Sequence, residues 1–263
     1  MKWSKKTNKV VKTLLILMVS ILTGFILMVG VYSISTDRLY KNAEKSIQLF
    51  EDGTNRKIAN WTGFSGYSKM DNFTDAWMIN MAICRQKDGT VDNAMTNYFY
   101  EYEGYSLGSD TLVEFLNGNK NYSINSYSRY WHGYMIYLIP LLSIMDVGQI
   151  RTLIMTLEFV LAAMVLYKLG KINFVYLIVY SIALLFINPV SVALNFQYSD
   201  IYIISLISVL TVLYYGREIY KRNLVYMLFL IVGICTSFID FLTYPLVTWG
   251  FCLLTFMIII QDA

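Results

Sequence analysis

Two acids four residues apart, Asp71 and Asp75, stand at the start of an apolar stretch of this 263-residue chain. Arg129 and the one histidine, His132, sit together in Tyr127-Ser128-Arg129-Tyr130-Trp131-His132-Gly133-Tyr134. Carboxylates at i and i+4 share one helical face. If both ionise they repel, and one pKa rises, as a general base or a metal ligand requires. A guanidinium grips phosphate through two parallel hydrogen bonds, and an imidazole beside it can donate to the same anion. A third pair, Arg151 and Glu158, is seven residues apart inside an apolar run, on nearly one helical face. An acid at such depth faces a bundle interior or a cavity. Simpler readings exist for each. Asp71 can be a helix N-cap, with Asp75 in the first turn where the dipole favours an anion. Arg129 and His132 can be anchors in an aromatic belt.

The elements that must position these groups are membrane helices. The chain is 56% hydrophobic and 15% charged, with a mean hydropathy of +0.48; a soluble chain carries about 25% charge. Most of the charge lies between Ser33 and Gly133, and the remainder is apolar blocks with charged edges. The fold class is therefore an all-α polytopic membrane protein. It has about six transmembrane helices, a large mostly helical extracytoplasmic loop and a short interfacial helix after it. Residues 1–34 form the cytoplasmic N-terminus and first span, 35–133 the loop domain, 134–146 an interfacial or re-entrant helix and 147–263 a five-helix bundle.

Positive charge sets this topology. Lys2, Lys5, Lys6, Lys9 and Lys12 precede the run Val10–Ile34, which is longer than a signal-peptide core and ends in a poor cleavage site. It reads as an uncleaved first span. Gly133–Met145 is too short to cross and holds Pro140. Leaving it out of the count puts Lys168, Lys171, Arg217, Lys221 and Arg222 on the cytoplasmic side with the N-terminus. Arg151, near the outer end of its span, is the one discord. Asn195–Asp200 and Asp240 then face outward, with Asp71, Asp75, Arg129 and His132. The protein is placed in the cell membrane, multi-pass, with its large loop extracytoplasmic. The loop is aromatic-rich, so it is folded rather than disordered. The best helix in it starts near Asp71, and EDGTN, KDGT and LNGNK mark turns. Asn60-Trp-Thr, Asn72-Phe-Thr and Asn121-Tyr-Ser match the short glycosylation sequon, which also arises by chance.

Several classes are excluded. No GxxxxGK[ST] or GxGxxG occurs, and the cytoplasmic loops are short, which argues against an ATP-driven or Rossmann enzyme. The net charge of +3 does not point to nucleic acid. Cys84, Cys235 and Cys252 form no CxxC pair, so no zinc site is expected.

The order of features resembles the GT-C-fold membrane glycosyltransferases, over about Val10 to Tyr215. Asp71-Asn72-Phe73-Thr74-Asp75-Ala76 matches their early acidic motif. Tyr127-Ser128-Arg129-Tyr130-Trp131-His132-Gly133 matches their tyrosine-rich stretch before a short apolar helix. Gly148 and Arg151 match a glycine and an arginine at the outer start of the next span. The resemblance implies transfer of a sugar from a polyprenyl-phosphate donor to a cell-envelope acceptor on the outer face. In that reading Asp71 is the base and Asp75 supports it. Arg129 clamps the phosphate, with His132 and Arg151 on the donor. Tyr127, Tyr130 and Trp131 line sugar or lipid, and Gln197, Asp200 and Asp240 form the far wall. Glu158 remains an intramembrane polar group. No cofactor is required by any motif, and a divalent cation stays open. The partners are the bilayer, the lipid-linked donor and the acceptor, with no nucleic acid. The family's acids are often adjacent, here they are not, and six spans is few for the class; the chain reads as a truncated member. A transporter or flippase for a lipid-linked sugar, and a non-enzymatic membrane assembly protein, are the alternatives.

Overall fold

The computed structural model describes residues 5–51, 70–86, 89–105 and 108–261. Helix α1 (Lys5–Tyr32) is built from Leu, Ile, Met and Val with no proline, and its Lys9–Tyr32 portion is long and apolar enough to cross a membrane. It ends at a turn before α2 (Thr36–Glu44), whose N-cap Ser35 accepts the Asp37 N–H. Then come α3 (Gln48–Glu51), α4 (Asn72–Ile83), α5 (Thr90–Thr96), strand β1 (Tyr98–Glu101), α6 (Ser109–Leu116) and strand β2 (Ser123–Ser126). A short helix α7 (Met135–Leu142), with Pro140 inside it, leads to α8 (Val147–Ile172), α9 (Phe174–Phe186) and α10 (Pro189–Ala193). Helices α11 (Phe196–Lys221), α12 (Val225–Ile239) and α13 (Pro245–Gln261) complete the chain.

Three helices meet the length and hydropathy of a membrane span: α1, α8 and α11. At the other three positions where spans are expected stand shorter apolar helices, α9, α12 and α13, of 13, 15 and 17 residues. The chain is thus a mostly helical membrane protein. The expectation of an all-α chain needs one correction. β1 and β2 form an antiparallel ribbon, with Tyr98 opposite Ser126 and Glu101 opposite Ser123. Two strands alone are marginal in water. This pair is held because Asn80 of α4 binds both backbone groups of Tyr100, at 2.8 and 2.9 Å. The Tyr100 ring also stacks on Phe115 of α6 at 3.8 Å.

The main core lies where the loop domain meets the ends of the long helices. It joins Met28 and Tyr32 of α1, Met78, Ile79 and Met81 of α4, Met135 and Leu138 of α7, and Ile150 of α8. Helix α4 is buried on nearly every side, which is why its sequence is apolar all round rather than amphipathic. Helix α11 is the central helix of the bundle, with 61% of its apolar window buried against 11% for α1. Smaller clusters pack it against α8 and α9 on one side and α12 and α13 on another. Its N-terminal end, Phe196, reaches the main core. That end carries the polar groups of interest.

Candidate functional site

Asp71 is the N-cap of α4, as its position before the apolar run predicts. Its carboxylate accepts the Thr74 N–H at 3.1 Å and the Thr74 hydroxyl at 2.7 Å. Its own N–H donates to the Asn195 side-chain oxygen. The residue is half-buried. Asp75, one turn later, is fully buried. It meets Arg151 of α8 at 2.6 Å and accepts the Phe196 N–H, at the start of α11, at 2.9 Å. The same Arg151 nitrogen donates to Asn72 at 2.9 Å. The Phe50 and Phe196 rings lie 5.7 Å from the guanidinium. Burial pushes the Asp75 carboxyl up to about 6 although Arg151 opposes the shift. One ion pair therefore ties α4 to α8 and α11. This places Arg151 differently from the donor-binding role expected of it: its carboxylate partner lies within the chain, and both are sealed from solvent.

The Tyr127–Tyr134 segment is a second cluster. His132 is buried at a positive φ of 51°. Its Nε2 is 2.8 Å from the Tyr127 carbonyl, so Nε2 carries the proton and donates. Nδ1 then accepts from the Tyr134 hydroxyl at 3.0 Å. Burial lowers the imidazole pKa to about 4, so the ring is neutral near pH 7. With both nitrogens engaged, His132 has none to offer a phosphate, which corrects its expected role to that of a clasp. Tyr127, Tyr130, Tyr134 and Phe241 surround it edge-on. Gly133 donates its N–H to the Phe238 carbonyl at 2.8 Å. A Cβ at Gly133 would overlap that oxygen and the Phe238 ring, so close backbone approach requires the glycine. Trp131 is exposed beside Phe238. Arg129 is exposed too, its guanidinium 5.4 Å from the Tyr130 ring and in no ion pair among the described residues. Tyr127 reaches Trp77 of α4 at 4.7 Å, linking the two clusters.

The third part is the wall formed by α11 and the turn between α12 and α13. Gln197 donates to the Thr243 hydroxyl. Thr243 in turn gives its N–H to Asp240 at 2.9 Å. Asp240 ends α12, and burial raises its carboxyl to about 6. Leu242 at a φ of 59° folds the turn over it. The Tyr137 hydroxyl of α7 donates to Asp200 at 2.7 Å. Tyr198 and Tyr244 pair their rings at 6.1 Å, with Asp71 in electrostatic reach of Tyr198.

The structure thus gathers Asp71, Asp75, Arg151, Gln197, Asp200 and Asp240 around the N-terminal end of α11. Tyr127, Tyr130, Trp131 and His132 lie alongside, docked through Phe238 and Phe241. Glu158 lies two turns deeper in α8, where it lines an apolar cavity. Sequence reasoning passed over Tyr137 and Thr243, and it named Asn72 and Asn195 without the contacts they make. Asn72 and Asn195 each sit directly before a phenylalanine at a helix start, and their side chains bind groups distant in sequence, which no local spacing reveals. Among the described residues no group of three or more His, Cys, Asp or Glu side chains is arranged to hold a metal ion. Comparison of the chain with protein-family models, with characterised proteins and with solved structures gives no match.

Chemically, the buried Asp75–Arg151 pair is a fixture, and the half-exposed Asp71 is the carboxylate open to a reactant. Thr74 takes part of its accepting capacity, and free lone pairs remain for one more donor. Tyr198 of α11 lies in electrostatic reach of it, and Gln197, the next residue toward the N-terminus, binds Thr243.

Proposed function

We propose that the protein is a GT-C-like membrane glycosyltransferase that moves a sugar from a polyprenyl-phosphate donor to a cell-envelope acceptor at the outer face. The observation that carries this reading is Asp71: a half-exposed carboxylate, held in place by Thr74 and Asn195, beside the polar wall of α11 and the α12–α13 turn. In such a transfer an acceptor hydroxyl attacks the anomeric carbon and the lipid phosphate leaves. Asp71 takes the hydroxyl proton. The Asp75–Arg151 pair fixes α4 so that Asp71 keeps its aim. Arg129, exposed and free of carboxylate partners among the described residues, meets the departing phosphate. Tyr127, Tyr130 and Trp131 line the sugar or the lipid. In this proposal the chain crosses six times, with Lys168 and Arg217 cytoplasmic and residues 35–133 outside, the side on which lipid-linked sugars are presented; the grouping of lysine and arginine at the helix ends shared with the N-terminus supports it.

Asp71→Asn tests it. Asparagine caps a helix as well as aspartate, so the fold is kept while the base is lost. Transfer of radiolabelled sugar from the lipid-extractable pool to envelope polymer should fall by about 10²–10⁴-fold, with an unchanged size-exclusion profile in detergent. Transfer at the wild-type rate would remove Asp71 as the base and with it this reading.

A further inference from the structure

Halfway along α8, two turns from Arg151, lies an apolar cavity of about 320 Å³. Its walls include Phe159 and Ala162 of α8, Leu184 of α9, and Pro189. Three polar groups interrupt this lining: Glu158, Tyr202 of α11, and Ser181 of α9, whose hydroxyl is given to the Leu177 carbonyl at 2.7 Å. Glu158 is 2% exposed, and among the described residues both its carboxyl oxygens lack a hydrogen-bond partner. Tyr202 is 5% exposed, and its hydroxyl is likewise unpartnered among the described residues. Ser199 stands near Glu158, but its hydroxyl proton is given to the Val192 carbonyl at 3.1 Å. Arg151, two turns away, is committed to Asp75 and Asn72.

A buried polar group without a partner costs free energy comparable to a lost hydrogen bond or more, and an uncompensated carboxylate costs several kcal/mol. Such an arrangement persists where a ligand completes it. Here three oxygens without a partner among the described residues border one apolar chamber. A primary ammonium has three donors and no acceptor. The Tyr202 and Phe159 rings add faces that attract a cation, and the chamber's apolar walls suit an alkyl chain. Phe159 and Leu185, at its margin, are themselves open on the helix surface, so an amphiphile can arrive from the lipid side.

We infer that this cavity is a binding site for an alkylammonium: a primary amine carried on an apolar chain, seated with its nitrogen between Glu158 and Tyr202. The site is independent of the transfer chemistry proposed above.

The test uses the full-length protein in vesicles of phosphatidylglycerol, and the carboxyl-reactive, lipid-soluble reagent dicyclohexylcarbodiimide. Modification of Glu158 is followed by peptide mass spectrometry, with Glu158→Gln as the blank. Dodecylamine should suppress Glu158 modification saturably, by about tenfold at ten times its half-protecting concentration. Dodecanol, with the same chain and no charge, should leave the rate unchanged. Tyr202→Phe, which keeps the ring and loses one acceptor, should raise the half-protecting concentration of dodecylamine. Butylamine distinguishes the source: protection by both amines means that the ammonium also arrives from water, and protection by dodecylamine alone means arrival through lipid. Equal protection by dodecanol would show a chamber that takes any chain, and would overturn the assignment. So would the absence of protection by either amine, or a Glu158 that the reagent never reaches.

Discussion

Arg151 shows how one side chain can be decisive without touching a reactant. It is 3% exposed and bound to Asp75, and the pair joins residues 76 positions apart. Removing one partner from a buried ion pair leaves an uncompensated charge and costs about 3–5 kcal/mol. Arg151→Met should therefore lower the thermal midpoint in detergent far more than a surface exchange such as Arg222→Met, whose ion pair with Glu218 is exposed. The double variant Asp75→Asn with Arg151→Met should recover much of that loss; a double variant as unstable as the single one would contradict the pairing. His132 makes a prediction of opposite chemistry. Its pKa is depressed from 6.5 to about 4 by burial, so between those values the unfolded chain binds a proton that the folded chain refuses. Its contribution to stability is present above about pH 6.5 and is lost as pH falls toward 4. Asp75 and Asp240, raised to about 6, act the other way: from about pH 4 to 6 the folded state holds the extra protons, and stability falls as pH rises. The difference between wild type and His132→Gln isolates the histidine. Across pH 6.5 to 4.5, the variant's limited-proteolysis protection should fall less than that of the wild type.

Among the elements, the Tyr127–Tyr134 segment is bolted to the end of α12 by the Gly133 N–H and the Phe238 carbonyl. Gly133→Ala would force that contact apart and should free Trp131 and His132 from Phe238 and Phe241. The expected signature is a shift in tryptophan emission and faster proteolysis after Arg129, with α-helical circular dichroism retained. Much of this level was legible beforehand. The apolar runs located α9 and α12 to within two residues and α1, α8, α11 and α13 to within six, and Asp71 announced α4 through its capping chemistry. The ribbon was not legible. Tyr98-Phe99-Tyr100-Glu101 lacks alternation, Ser123-Ile124-Asn125-Ser126 is mostly polar, and the clamp that makes them strands comes from Asn80. The same limit applied to His132. An imidazole flanked by tyrosines reads alike as phosphate donor or buried clasp, and only its burial and the left-handed backbone separate the two. Asp75 and Arg151 were both suspected, but their meeting depends on how α4 is laid across the ends of α8 and α11, which no spacing encodes.

Taken together, the described residues share one polar centre, where α4 and α7 meet α8 and the N-terminal end of α11. The six-span arrangement has a direct test. A single cysteine at Asp110 should be labelled by an impermeant maleimide in intact cells, and one at Lys168 only after the membrane is opened; the reverse pattern would invert the topology. The lengths of the helices carry one more consequence. At about 1.5 Å per residue, the 13 residues of α9 extend about 20 Å, against a hydrocarbon layer of about 30 Å. An α9 that crosses must draw the two leaflets toward each other around it, at a modest cost for each ångström of mismatch. The dent would sit beside Glu158, bringing the headgroup region closer to that acid than its position in the chain suggests. Acyl-chain length then becomes a control on the protein: bilayers of short-chain lipid relieve the mismatch, while thick bilayers penalise it and favour association of copies along α9.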